Sequence, residues 1–222
     1  MLSRLAERLT CLVTQQTGGG DRERAILRYG SEMAMLTFGE LMLIVLAAWA
    51  WDCIPTTLAA CLAMAALRSV AGGIHCTSAG RCTVVTVLVF VALGKVGSLW
   101  TAAPGTTAVV ALGAGFLSGL AVVFRAPLEN PAKPLGSPAH KRLLRRLSLF
   151  MVFLITVTGL TVALRPGSGN LAFALALGES WAALMITGAG KAVIGLADRT
   201  LQYRPWPFRT ASPDPPAGVE RR

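Results

Sequence analysis

Charge is scarce in this chain. Only 14% of its 222 residues are charged, against 54% hydrophobic, and its mean hydropathy is +0.59. A soluble domain of this length needs more polar surface than that composition supplies. Regular polar/apolar alternation is lacking too, and the apolar runs are too long for a β-barrel. No cleavable signal peptide stands out, because the first 32 residues are polar and charged and hydrophobicity begins only near Met33. Nor do the five cysteines, at 11, 53, 61, 76 and 82, form a disulfide framework. Histidine occurs only twice.

What is present is a series of apolar runs near the ~20 residues that span a bilayer. They are Met33–Trp51, Cys53–Leu67, Thr83–Ala103, Thr106–Phe124, Leu147–Leu164 and Leu171–Ala197. The second is short, and continuing it through Ala71 brings it to length. Backbone in lipid must satisfy its own hydrogen bonds, so the expected fold is an all-α polytopic membrane protein of about six transmembrane helices. Three regions follow: an amphipathic N-terminal region (1–32), a six-helix membrane domain (33–200) and a Pro/Arg-rich tail (201–222) with the composition of a disordered segment. Leu2, Leu5, Leu9 and Leu12 share one face of an amphipathic helix that ends at Gly18–Gly20. Asp21 then starts a second polar helix leading into Tyr29 and Gly30.

Basic residues give the orientation. With six spans, all but Lys95, Arg165 and Lys191 of the 21 lysines and arginines fall on one side. The positive-inside rule makes that side cytoplasmic, with both termini. The net charge of +10 is explained by an anionic inner leaflet and needs no nucleic acid.

One polar break stands out. Arg68 to Cys82 reads RSVAGGIHCTSAGRC, with a glycine pair, His75 and two thiols on the cytoplasmic side. Cys82 opens the third apolar run, where a helix N-terminus and the neighbouring Arg81 favour thiolate, and His75 is the available base. On one straight helix their Cα atoms would lie about 10.5 Å apart along the axis, so the chain must bend between them. Gly72, Gly73 and the Thr77–Gly80 turn chemistry allow it. His75, Cys76 and Cys82 also read as three ligands of a soft metal without an evident fourth, and Cys76 and Cys82 as a thiol pair without C-x-x-C spacing. Cys53 and Cys61 read as buried structural thiols.

The segment resembles the signature of the accessory gene regulator B (AgrB) family, membrane proteases that process quorum-sensing pro-peptides. The match runs Arg68, Gly72–Gly73, one residue, His75, six residues, Cys82. Ala126–Leu135, with Lys133–Pro134, resembles the family's A-P-x-x-x-x-x-K-P loop, and Leu27–Gly30 fits the lead-in to its first span. The resemblance implies a cysteine endopeptidase with Cys82 as nucleophile and His75 as general base. It also implies supporting roles for Arg68, Gly72 and Gly73, and a homodimer. No metal is expected, for want of a fourth ligand, and no cofactor is called for.

Lys133, Lys141 and Arg142 lie in the basic cytoplasmic loop, where an acidic substrate tail would meet them; topology alone also accounts for them. The implied partner is a short autoinducer pro-peptide, cleaved through a thioester and closed to a (thio)lactone. No acidic residue can be named as the group orienting His75. Glu40, Lys95, Glu179 and Lys191 lie within runs and are expected to pair inside the bundle. If Glu179 and Lys191 share one helix, about 18 Å separates them. A small transporter or permease accessory is the competing class, for which Glu40 and Lys95 matter and Cys82 does not.

Overall fold

The computed structural model describes residues 20–128 and 137–202. Among them every regular element is helical: α1 (Asp21–Ala50), α2 (Ile54–Ala71), α3 (Ala79–Ser98), α4 (Pro104–Arg125), α5 (Pro138–Ala163), α6 (Gly169–Leu184) and α7 (Gly188–Gln202). The first five are each long and apolar enough to cross a membrane, and α6 and α7 together make one bent candidate span. The expected all-α polytopic architecture is therefore present. The N-terminal amphipathic helix, Lys133 and the 203–222 part of the tail lie outside the described residues.

The interior is built from small side chains. Ala60, Ala63, Ala111, Ala172, Ala174 and Ala182 are buried, whereas Leu62, Leu88, Phe116 and Phe153 point outward. Lipid tails solvate leucine as well as another helix would, so close backbone approach rather than burial of bulk drives packing. The most extensive contact is α2 on α6. There Gly178 faces the Ala60 carbonyl so closely that no side chain fits between them. Gly94 of α3 sits in the same way against Thr57, whose neighbour Thr56 donates to the Gly94 carbonyl (2.7 Å). Gly115 of α4 lies against Thr156 of α5.

A helix starts at Asp21 as expected and continues through Tyr29 and Gly30 into the first span: α1 is one helix of 30 residues, with Arg28 and Glu32 paired four residues apart (3.2 Å). One expectation needs correction. The sixth apolar run is not one helix: it breaks after Leu184 and α7 leaves at 90°. Thr187 makes the break, donating its hydroxyl to the Leu184 carbonyl (2.7 Å) and accepting from Gly190 N–H (3.3 Å). Gly190 lies against the Leu184 carbonyl, where a side chain would collide. The one-helix separation of Glu179 and Lys191 therefore does not apply.

Two of the four in-run charges, Lys95 and Glu179, have hydrogen-bond partners on other segments. Lys95 donates to the Trp51 carbonyl beyond α1 (3.0 Å), and buried Glu179 accepts from Thr156 of α5 (3.4 Å). Both are structural uses. Gly178→Ala is expected to force α2 and α6 apart and cost roughly 1–3 kcal/mol, read as a lower thermal midpoint in detergent. Gly119→Ala, where an added methyl meets open space, should leave the midpoint nearly unchanged.

Candidate active site

At one end of the bundle α2 stops, the chain crosses Gly72–Ser78, and α3 begins. Gly72 ends α2 at φ +76°, a left-handed conformation that side chains disfavour, and a Cβ there would lie 3.0 Å from the Leu128 carbonyl oxygen. The crossing is anchored on both flanks. Leu128 N–H donates to the Ala71 carbonyl (3.0 Å), and Ile74 N–H to the Met185 carbonyl at the α6–α7 break (3.3 Å). Arg145 of α5 holds the Leu128 side by donating to the Ala126 carbonyl (2.9 Å).

The required bend brings His75 back over the start of α3. Cys82 Sγ lies 4.0 Å from His75 Nδ1, at the outer reach of a hydrogen bond to sulfur. Cys82 sits in the first turn of α3, its N–H bonded to the Ser78 carbonyl (3.0 Å). The N–H groups of the preceding three helical residues have no partner within the helix. A thiol and an imidazole so disposed exchange a proton after a small approach.

Arg68, in the last turn of α2, completes the group. Its Nη2 donates to the Ile74 carbonyl (2.9 Å) and lies 2.9 Å from each ring nitrogen of His75. A guanidinium only donates, so it can bond His75 only through the ring nitrogen that carries a lone pair, an arrangement that favours the neutral imidazole. Burial first, and the Arg68 charge second, lower the His75 pKa from its usual value. Gly73 has a steric purpose here, since a Cβ would come within 3.2 Å of Arg68 Nε. Arg68, Cys76, Cys82, Met64, Phe90 and Trp181 line a cavity of about 20 Å³. That is room for one water and not for a peptide.

Arg81 departs from expectation. Its Nε pairs with Asp198 of α7 (2.8 Å), so its charge is engaged there rather than with the Cys82 sulfur. Asp198 also accepts from Thr77 (2.7 Å) and Gln202 (3.4 Å), and Arg81 donates to the Thr77 hydroxyl. Sequence reasoning missed Asp198. It falls one residue beyond the last apolar run, and only its register with Gly190 and Ile194, at four-residue steps, marks it as facing inward.

Cys76 is distinguished from Cys82 by its surroundings. Burial, then the electrostatics of Cys82 and Asp198, push its thiol up to about 11. Among the described residues, no three His, Cys, Asp or Glu side chains gather as metal ligands, so His75, Cys76 and Cys82 are not brought together in that way. Cys53 is buried and Cys61 partly so, as structural thiols would be. Lys141 and Arg142, in the first turn of α5, do not line the cavity.

A family model described as accessory gene regulator B matches residues 6–186, most of the chain. The chain belongs to the accessory gene regulator B family. That family takes part in processing quorum-sensing peptides, which sets this multi-pass membrane protein in peptide maturation. No curated protein and no solved structure matches the chain. The family match contains Arg68, the glycine pair, His75 and Cys82, and it ends before α7.

His75 should titrate below the ordinary histidine value of about 6.5. Its neutral form then persists to lower pH, and imidazolium appears only as pH falls through the depressed value. Histidine-selective NMR in micelles can follow this, with His140 as the only other signal to remove. Arg68→Gln is expected to move the His75 midpoint upward, and an unmoved midpoint would show that Arg68 is not a cause. Cys76 should resist alkylation at neutral pH and gain reactivity only on approach to about pH 11, read by mass spectrometry of its peptide.

Proposed function

We propose that the chain is a membrane-embedded cysteine endopeptidase that cleaves an autoinducer pro-peptide and passes the acyl group on through a thioester. The observation that carries this reading is the approach of Cys82 Sγ to the His75 Nδ1, with Arg68 on the same imidazole, inside the family match. The basic side is cytoplasmic in this reading, by the positive-inside rule, so the pro-peptide meets the site from the inner leaflet. A second copy of the chain and an anionic leaflet are the remaining partners.

In the resting state burial and Arg68 favour neutral His75, and the guanidinium must move off the ring, keeping its bond to the Ile74 carbonyl, before Nδ1 can accept a proton. The thiol proton of Cys82 passes to Nδ1 as sulfur attacks the scissile carbonyl. The Arg68 charge lies near enough to Cys82 to favour the developing anion. Collapse of the tetrahedral species breaks the C–N bond, and imidazolium returns its proton to the leaving amine. The C-terminal segment departs and the remaining peptide is held as a thioester on Cys82. A cysteine thiol or serine hydroxyl within the peptide then attacks that carbonyl, closing a thiolactone or lactone and restoring the Cys82 thiol. A nucleophile held within the same bound peptide is already close to the thioester carbonyl, which favours cyclisation over hydrolysis. Because the cavity holds only about one water, the peptide must enter as its walls part.

The basic residues Lys141 and Arg142 lie at the same end of the bundle as the site. They suit an acidic C-terminal segment held outside the cavity rather than the scissile bond itself, and Lys133 belongs to the same basic loop.

The test uses the full chain in membranes with a candidate pro-peptide: a short, amphipathic, Cys-containing peptide with an acidic tail. Cys82→Ser and His75→Ala should each lower cleavage by about 10² or more. The unsubstituted enzyme should yield a peptide–Cys82 thioester by mass spectrometry after an acid quench. Undiminished cleavage by Cys82→Ser would refute the mechanism.

A further inference from the structure

The contact between α7 and the start of α3 has no place in the mechanism so far, and it is built on charged and polar side chains. Gly190, Ile194 and Asp198 are the buried residues of α7, spaced four apart on one face. The stripe ends in a carboxylate only 6% exposed. A carboxylate that buried requires partners: Oδ2 has hydrogen bonds, while Oδ1 is held by the Arg81 charge at ion-pair distance without hydrogen-bond geometry. Arg81 Nε meets one oxygen, while Thr77 and Gln202 meet the other. Thr77 and Arg81 lie on the two arms of the turn that folds His75 over Cys82, with Arg81 immediately before the thiol. The Arg81–Thr77 hydrogen bond closes the triangle. The carboxylate therefore ties together the two positions whose separation sets the distance between imidazole and sulfur.

We propose that Asp198 is a positioning residue for Cys82, through which α7 holds the 77–81 turn closed and keeps the thiol within reach of His75. The proposal rests on the cysteine peptidase reading. It adds an element, α7, that lies beyond the residues matched by the family model. Asp198 does not touch the reacting atoms, since it acts through Arg81 and Thr77. By holding the Arg81 guanidinium it also leaves Arg68 as the cation of the site. The charged and titratable groups around the thiol are then Arg68 from α2, His75 and Cys76 from the crossing, Arg81 from α3 and Asp198 from α7.

The experiment is alkylation of Cys82 by iodoacetamide in the full chain in lipid nanodiscs, followed across pH by mass spectrometry of the Cys82 peptide. It needs no substrate. The unsubstituted chain should show a step in rate that His75→Ala removes. Asp198→Asn should lose that same step, Asp198→Glu should recover part of it, and the exchange Asp198→Arg with Arg81→Asp should recover more than either single change. Thr77→Val, which keeps the ion pair, should weaken the step with the thermal midpoint held, and it serves where Asp198→Asn does not accumulate. An unchanged step in Asp198→Asn, or in Thr77→Val where only that variant accumulates, would overturn the proposal. So would a step that weakens only in proportion to unfolding. If His75→Ala leaves the profile of the unsubstituted chain unaltered, the Cys82–His75 pairing is wrong and the clamp falls with it. If His75→Ala removes the step and Asp198→Asn keeps it, the clamp alone is refuted.

Discussion

The close approach of α2 to α6 governs everything at the site. In lipid no gain comes from burying leucine between helices, so two backbones stay together only where nothing stands between them. Gly178 against the Ala60 carbonyl supplies that contact, with Gly94 against Thr57 doing the same for α3. Once α2 and α6 are fixed, so are their ends on one side of the bundle. Arg68 emerges from the last turn of α2, and Met185 follows the end of α6 with a carbonyl that Ile74 can reach. The Gly72–Ser78 crossing hangs between those ends and has little freedom left.

The site then divides its charges between two cations with different tasks. Arg68 faces the imidazole and keeps it unprotonated, which suits a group that must accept a proton. Arg81, next to the thiol in sequence, is turned away and spent on Asp198. Adjacency in sequence misleads here because a helix sends successive side chains in different directions. The two thiols are sorted in a similar way: burial and its neighbours keep Cys76 protonated, so the pair is not equivalent although only six residues separate them.

Much of the architecture was legible in the chain. Apolar runs of spanning length announced a helical membrane protein, and the extension of the second run through Ala71 is present. The reading of the sixth run failed for a physical reason. The 90° break at Thr187 is made by one hydroxyl and a glycine that must fit beneath a carbonyl, and an apolar run does not record such details. At the N-terminal end, an isolated glycine costs a helix only about 1 kcal/mol, and α1 continues through Gly30.

By itself the sequence determined the class, the spans and the pattern of arginine, glycines, histidine and cysteine. These depend on composition and spacing along the chain, and hydropathy and local backbone preference act at that range. Even the need for a bend between His75 and Cys82 followed from helix rise alone. Tertiary structure decided which groups meet: Arg68 on His75, Arg81 on Asp198, and α7 folded back onto the start of α3. Thr77 and Asp198 are 121 residues apart. No local rule links residues so distant, and their contact exists only because packed backbones and one sharp turn bring them to the same place.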